Sequence, residues 1–430
     1  LIYFFIQSSL FYNYPLNNFP PMDFLFYASV IQCLGQYGIE TINNVIYPFT
    51  YTDIATPYHY IDLWFATLYF YVFGVKSLEA YVVITTTILS SLLFIGMISI
   101  VSKLTKSKYL IFIAGFAIYV TYFDFTNWLG GFASMTWAVM SNPKFMFIGL
   151  VFIWYFIEVL NNNNSKSYLF ILLLLPVFNI IYAPALYLTL GSITLFYYLM
   201  HRTRRNIFLL LVVLISAFFI FIFYKYNSSE TTIQLNLLNL LKRSLHFSFI
   251  YRIWDVVKDV VISYAILWAP LLLLTFFNYK KSIQIIKETK TIFSITLLLV
   301  FWGLVIWNIL YDLYDSFQFF FLTLIGFSLL SIVSVFLVFS KLDTLFLKRL
   351  MIVFIFTVCV FFTYNMFQIP GFYIYTDNPN SIEYVDQVQK KIKEKQNFNY
   401  IGVNIKSTQE RINSRNSYGK ITNYFITNYD

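Results

Sequence analysis

Several titratable side chains in the N-terminal third of the chain stand in otherwise apolar and aromatic sequence, where a charge is costly unless it is solvated or paired. They are Asp23, Asp53, His59 and Asp124. In a water-poor cleft a carboxylate can take a proton from a hydroxyl group as a general base, and a histidine can donate to an anionic group such as phosphate. These residue types therefore indicate acid–base chemistry or the binding of an anion.

Asp23 lies at the predicted start of a helix over residues 22–38. Two prolines precede it, and proline is tolerated in the first helical turn, where the free amide groups also stabilise a carboxylate. A polar stripe along this helix consists of Ser29, Gln32 and Gln36. Gly38 is predicted to end the helix. Two interpretations of Asp23 stay open: it is a general base, or it is a first-turn acid that only stabilises the helix, by about 1 kcal/mol.

The whole chain has the composition of a membrane protein. Of its 430 residues, 59% are hydrophobic and 11% are charged, whereas soluble domains carry about a quarter charged residues. The net charge of +9 is spread mainly over short loops, which argues against nucleic acid as a partner. With two cysteines and three histidines, the sequence shows no Cys/His metal spacing.

Apolar runs long enough to cross a bilayer, about 17–25 residues each, recur along the chain. They lie at roughly 78–101, 108–124, 143–160, 167–182, 184–200, 206–226, 260–278, 290–310, 317–340 and 349–368. Residues 1–11 are predicted to be the end of a further span. The predicted fold is therefore an all-α polytopic membrane protein, with 10–11 transmembrane helices over residues 1–368.

Lysine and arginine occur in alternate gaps between these runs, and the positive-inside rule assigns the basic gaps to the cytoplasm. No Lys or Arg occurs in the first 75 residues, so residues 12–76 are predicted to form a loop on the outer side. Within that loop the apolar segment 58–74 is interpreted as a helix in the outer interface, because a crossing there would invert every later loop. Asp53 and Asp62 flank His59 and are expected to pair with it or with water.

Two further outer gaps carry candidate residues. Asp124 opens the gap at 125–142, either as an acid with a role in chemistry or as a solvated acid beyond a helix end. Lys144 is the base next to that gap. The gap at 227–259 departs from the charge rule with Lys242, Arg243, Arg252 and Lys258. Because arginine forks match phosphate oxygens, this loop is predicted either to bind a lipid phosphate or to rest on anionic headgroups.

The order of these features resembles the GT-C class of membrane glycosyltransferases, which includes the protein mannosyltransferases and the aminoarabinose–lipid A transferases. The shared features are an acid at the start of an interfacial helix (Asp23), a tyrosine four residues on (Tyr27), a glycine fifteen residues after the acid (Gly38) and a second interfacial helix opened by Pro57. The likeness covers roughly residues 1–145, and beyond these only the many-helix layout is shared.

The resemblance implies an inverting transfer of a sugar from a polyprenyl-phosphate donor to a lipid, glycan or protein acceptor, on the outer face of the bacterial inner membrane. By that resemblance Asp23 is the catalytic carboxylate and Asp124 is a second acid, and together they are the expected ligands of any divalent cation, Mg²⁺ or Mn²⁺. The residues expected to bind substrate are Tyr27, Asp53, His59, Lys242, Arg243 and Arg252. Phe24 stands where the family often has a second acid, and His59 is nearest to the family's usual basic position.

Two other classes of function stay open. A transporter or flippase for a lipid-linked saccharide needs polar or ionisable residues within its spans, and the predicted spans contain few of these. A non-catalytic membrane assembly protein would keep the GT-C-like layout without the chemistry, and Phe24 agrees with that alternative. The sequence contains no phosphate-binding lysine loop, Rossmann glycine pattern or Ser-His-Asp series.

The composition changes near residue 369, after which asparagine, lysine, glutamine and glutamate become frequent. Residues 369–430 are predicted to form a small outward-facing segment, with a helix at about 380–395 and a strand-like stretch at 398–405. This segment is either the start of a small α/β domain or a loosely ordered tail. Because the chain begins at Leu1 without a methionine, we expect its ends to be truncated.

Overall fold

The computed structural model describes residues 22–38, 61–117, 143–161, 168–227, 247–310, 318–342 and 348–357. All regular secondary structure in these ranges is helical, as the apolar runs predict. The chain divides into two compact units. The first comprises residues 1–57, 62–87 and 370–430, and the second comprises residues 58–61 and 88–369.

The first unit contains α1 (Met22–Tyr37), most of α2 (Ile61–Phe73) and the start of α3 (Ser77–Leu104). The second unit contains the rest of α3 and the helices α4 (Lys108–Ala117), α5 (Pro143–Asn161), α6 (Tyr168–Phe178), α7 (Tyr182–Met200), α8 (Arg204–Asn227), α9 (Phe247–Phe277), α10 (Tyr279–Glu288), α11 (Lys290–Ile309), α12 (Gln318–Lys341) and α13 (348–357). The predicted C-terminal segment, 369–430, lies outside the described residues.

Among the described residues, six helices are long and apolar enough to cross a membrane, namely α3, α5, α7, α8, α11 and α12. Each of them coincides with one of the predicted apolar runs. The described parts of the other four predicted runs are mostly helical, in α4, α6, α9 and α13, and the run at 167–182 is interrupted at 179–181. The prediction of an all-α membrane protein is therefore confirmed, with six spans that meet these criteria in the described part of the chain.

Both N-terminal helices end at a glycine in the left-handed conformation. Gly38 has φ +70°, and its amide group donates to the carbonyl of Leu34 at 2.9 Å. Gly74 has φ +63°, and its amide group donates to the carbonyl of Phe70 at 3.1 Å. Only glycine adopts this conformation without a steric penalty, so the sequence fixes where each helix stops.

The middle of helix α1 is buried inside the first unit. Every residue from 27 to 32 is buried, which covers all faces of a helix with 3.6 residues per turn. Ser29 and Gln32, which the polar stripe places toward water, are among them, whereas Gln36 is exposed. The polar stripe did not predict this burial, because the side chains of Ser29 and Gln32 are covered by other parts of the protein and not by water.

Helices α1 and α2 approach each other closely at Gly35. A Cβ atom at this position would lie 2.5 Å from the Cδ1 and Cε1 atoms of Phe70. The described part of α2 begins at Ile61, and residues 58–60 of the predicted interfacial segment lie outside the described residues. That the segment 58–74 does not cross the membrane therefore stays a prediction.

Helix α12 is the central helix of the second unit. In its most apolar stretch 89% of the residues are buried, and it packs against α5, α9, α10 and α11. Side-chain hydrogen bonds join it to α9: the indole of Trp268 donates to Ser331 at 2.9 Å, and the hydroxyl groups of Tyr264 and Ser328 bond to each other. Where lipid replaces water, such bonds and close packing hold helices together.

Helix ends in the second unit meet at two opposite edges. Three contacts lie at one edge: Lys103 with Asn161, Tyr155 with the carbonyl of Thr291 at 3.2 Å, and Lys341 with Glu288 at 2.8 Å. At the other edge the hydroxyl of Tyr182 donates to the carbonyl of Leu322, and Trp307 stacks on Phe320. We name the first edge, with Lys103, Lys281, Lys287 and Lys341, the basic edge. The alternation of charge correctly predicted which helix ends share it, and its cytoplasmic location stays a prediction.

Candidate functional site

The predicted site residues are described to different extents. Asp53, His59, Asp124, Lys242 and Arg243 lie outside the described residues. Asp23 is the second residue of α1 and Arg252 lies in α9, and for both the description is of the backbone alone. The predicted roles of these seven residues therefore stay predictions. Tyr27 is the predicted substrate-binding residue whose side chain is described.

Tyr27 is buried in the first unit, one helical turn after Asp23. It is 2% exposed, and its ring centroid lies 5.4 Å from that of Tyr81 in a tilted arrangement. Phe26 packs edge-on against it at 6.0 Å. Aromatic pairs of this geometry add about 0.5–1.5 kcal/mol to the area they bury. The contact attaches the N-terminal half of α1 to the start of α3.

Tyr81 in turn holds a buried carboxylate. Its hydroxyl donates to Oδ2 of Asp62 at 2.9 Å, and Asp62 is fully buried in α2. The sequence suggested that Asp62 pairs with His59 or with water. The structure gives it the phenol of Tyr81, because the fold brings Asp62 of α2 close to the start of α3. His59 lies outside the described residues, so a pairing with it stays a prediction. Tyr27, Asp62 and Tyr81 thus join three helices of one unit, and we name them the Asp62 cluster.

The backbone around Tyr81 is a π-helical turn. This turn runs from Ala80 to Thr85 at the start of α3, and the hydroxyl of Thr86 donates to the carbonyl of Tyr81 at 3.2 Å. A π turn inserts one extra residue into a helix and redirects the side chains that precede it, and such turns are frequent at functional sites. Here the turn aims a tyrosine at a buried acid.

The Asp62 cluster does not have the composition of a metal site. Mg²⁺ and Mn²⁺ prefer several carboxylate, carbonyl and water oxygens, whereas the cluster offers one carboxylate and two phenols. Nowhere in the described residues do three His, Cys, Asp or Glu side chains come together in a metal-binding group. Asp23 and Asp124 remain the predicted ligands of a divalent cation.

Lys144 is a second notable charge. It lies in the first turn of α5, is 6% exposed, and places its Nζ atom 4.8 Å from the ring centroid of Phe145. A cation there is opposed by the helix dipole, and its burial is costly without compensation. The charge of Lys144 therefore needs a compensating partner, within the protein or in a ligand. The sequence singled it out only as the base beside the second outer gap.

Sequence reasoning missed the pairing of Asp62 with Tyr81. The two residues are 19 positions apart in different helices, so no helical period relates them. The available signal was Asp62 itself, an acid one residue into an apolar helix, which is costly without a partner.

The chain was also compared with known proteins. No protein-family model matches it, and neither a curated protein nor a solved structure does. The resemblance to the GT-C class rests on the order and spacing of residues in the N-terminal part of the chain, and it stays a prediction.

Proposed function

We propose that the protein is a membrane glycosyltransferase of the GT-C type, which transfers a sugar from a polyprenyl-phosphate donor to a lipid, glycan or protein acceptor. The reaction takes place with inversion at the outer face of the bacterial inner membrane. One observation carries the proposal: α1, whose second residue is Asp23, is buried in its middle and contacts the Asp62 cluster through Tyr27, one turn after Asp23. A rigid support is what a catalytic carboxylate at a helix start requires.

Asp23 acts as the general base. It takes the proton of the acceptor hydroxyl, the acceptor oxygen forms a bond to the anomeric carbon of the sugar, and the bond from that carbon to the phosphate oxygen breaks. The polyprenyl phosphate leaves with the electron pair. Cationic side chains stabilise its negative charge, and the candidates are Lys242, Arg243, Arg252 and Lys144.

The Asp62 cluster acts as a positioning device rather than as the base. Asp62 fixes the hydroxyl of Tyr81, and the ring of Tyr81 packs against Tyr27. Tyr27 is one helical turn from Asp23, so a rotation or shift of its backbone moves the base by a similar amount. A misplacement of about 1 Å costs roughly a hundredfold in rate, which is why such a support matters.

The direct test is Asp23→Asn in membranes supplied with a polyprenyl phosphate that carries a labelled sugar. We expect loss of labelled acceptor and of released polyprenyl phosphate, with the amount of folded protein unchanged. Glu158→Gln, which neutralises an acid near the basic edge, is the matched control and should transfer normally. Transfer that survives Asp23→Asn would remove the base from the mechanism.

The same preparation separates the two other classes of function. A flippase would carry a fluorescent donor between leaflets without consuming it, so the donor would change its accessibility to an added quencher while its amount stayed constant. An assembly protein would neither consume nor move the donor. Either result with the wild-type chain contradicts the glycosyltransferase proposal.

A further inference from the structure

Helix α10 is a short helix held at the membrane edge of the second unit. A single residue, Asn278, separates it from α9, and Thr289 alone separates it from the spanning helix α11. The side chain of Asn278 caps α10 by accepting a hydrogen bond from the amide of Lys281 at 3.3 Å. Because these connections are one residue long, α10 must lie beside the end of α9 and the start of α11. Both of these helix ends are at the basic edge.

The rotation of α10 about its own axis is fixed as well. Ser282, Ile285 and Thr289 are buried, and Ile285 belongs to the main hydrophobic core. The ammonium group of Lys281 donates to the carbonyl of Lys341 at 2.9 Å, and that of Lys341 bonds to Glu288 at 2.8 Å. One face of the helix is therefore turned toward the protein, and the remaining faces have defined directions.

On the exposed surface of α10, apolar and charged side chains lie on separate faces of the helix. Tyr279, Ile283 and Ile286 are 59%, 43% and 44% exposed, and their spacing of four and three places them on one stripe. At about 100° per residue this stripe lies roughly a quarter turn from the buried face. Lys280 and Lys287, both exposed and seven positions apart, border the stripe on the side away from the protein.

We propose that α10 docks onto an anionic lipid leaflet at the basic edge, with its apolar stripe in the boundary between acyl chains and headgroups. Lys280 and Lys287 then reach the lipid phosphates. An apolar stripe bordered by lysines is the pattern of a helix lying in a membrane interface, and each cation near an anionic surface adds to the attraction. The proposal is independent of the catalytic function.

The position of α10 favours lipid over other occupants. Because the spanning helix α11 follows it after a single residue, α10 lies where a membrane-spanning segment ends, which is the headgroup region. A second copy of the chain or a soluble acidic protein would have to displace lipid from this level. The polar residues Gln284 and Glu288, which bond to each other at 2.8 Å, lie on the far side from the apolar stripe and border water instead.

The stripe can be located with single fluorescent labels. In a background with Cys33→Ser and Cys359→Ser, the variants Ile283→Cys and Gln284→Cys are labelled with an environment-sensitive dye and placed in lipid nanodiscs. We expect quenchers attached to lipids to act on the label at 283 and aqueous iodide to act on the label at 284. Equal access of iodide to both labels would overturn the proposal.

The role of charge is tested with the same label at position 283. Spin-labelled phosphatidylglycerol should quench it more strongly than spin-labelled phosphatidylcholine, and Lys280→Gln with Lys287→Gln should lower that preference roughly fivefold per lysine. The matched control, Lys106→Gln with Lys108→Gln, removes two exposed lysines of another connection and should leave the preference unchanged.

Two further outcomes count against the proposal. If quenching does not distinguish the two lipids, the lysines do not recognise anionic headgroups. If shielding of the label at 283 increases with the number of chains per nanodisc and not with lipid composition, the stripe contacts a second copy of the protein. Either result would assign α10 a different partner.

Discussion

The hydroxyl group of Tyr81 and the carboxylate of Asp62 are bonded at 2.9 Å, and both side chains are fully buried. This bond joins α2 to the π-helical turn of α3. Through the ring of Tyr27 it also reaches α1, the helix that carries Asp23. The Tyr81–Asp62 hydrogen bond does not touch a reacting atom, but by fixing Tyr27 and α1 it helps to fix the position of the proposed base, Asp23.

Tyr81→Phe removes the donor and keeps the ring. We expect a loss of about 1–3 kcal/mol in unfolding free energy, because a buried carboxylate loses one of its hydrogen-bond donors. Transfer should fall about ten- to a hundredfold in kcat with little change in the KM for the donor, since the base is displaced and not removed. Thermal unfolding in detergent and steady-state kinetics measure the two effects.

Tyr109→Phe is the control for that variant. Tyr109 is 82% exposed, so the loss of its hydroxyl should change neither stability nor kcat. A Tyr81→Phe protein with reduced stability and full kcat would make the Asp62 cluster structural only.

Gly35→Ala should separate α1 from α2. The added Cβ atom would lie 2.5 Å from the ring of Phe70, which is tighter than any normal contact, so the ring or a helix must move. We expect destabilisation of about 1–3 kcal/mol and partial recovery when Phe70→Leu is added. Chemical or thermal unfolding of the two single variants and the double variant gives the coupling.

Gly191→Ala is the opposite case and the matched control. Gly191 lies inside α7 with no atom within 4 Å of the added Cβ, so the substitution should stabilise the helix by up to about 1 kcal/mol. Equal effects of the two glycine substitutions would show that backbone propensity, and not the contact with Phe70, decides the outcome.

Lys144→Met tests whether the buried lysine binds the donor phosphate. Methionine keeps most of the volume and removes the charge, and thermal unfolding of the variant separates a loss of fold from a loss of binding. The KM for the polyprenyl-phosphate donor should rise roughly tenfold, and Lys144→Arg should restore part of the loss because it keeps the charge. An unchanged KM would exclude Lys144 from donor binding; the exposed Lys225 offers the control substitution Lys225→Met.

Ser331→Ala removes the acceptor of the Trp268 indole bond between α9 and α12. The expected cost is about 0.6 kcal/mol and at most about 1.7 kcal/mol, the range of interhelical hydrogen bonds in membranes. Ser192→Ala is the comparison, since the hydroxyl of Ser192 bonds to the Leu188 carbonyl within its own helix and should contribute less to stability. Unfolding in a graded detergent mixture measures both.

Local rules predicted the parts of the fold that depend on local chemistry. The end of α1 was predictable from Gly38, and the break between α6 and α7 from Asn179, whose side chain accepts a hydrogen bond from the amide of Ile181 at 3.0 Å. The sharing of one edge by the basic connections followed from the positive-inside rule.

Features that depend on distant partners were not predictable. The burial of Ser29 and Gln32 is decided by neighbours that α1 acquires only in the folded unit. The π turn that aims Tyr81 at Asp62 has no sequence signature of its own, and the pair is formed across two helix starts. Hydropathy identified both α8 and α12 as spans, but it did not predict that they differ in burial. In their most apolar stretches 89% of the residues of α12 are buried, against 17% for α8.

The enclosure of α12 has a consequence for the biosynthesis of the protein. A helix that meets almost no lipid in the finished fold still has to enter the bilayer, and there its serines would face acyl chains until they are covered. Its partners α5, α9 and α11 all precede it along the chain, so they are synthesised before α12. This order along the chain shortens the time during which the serines of α12 are exposed to lipid without their partner helices.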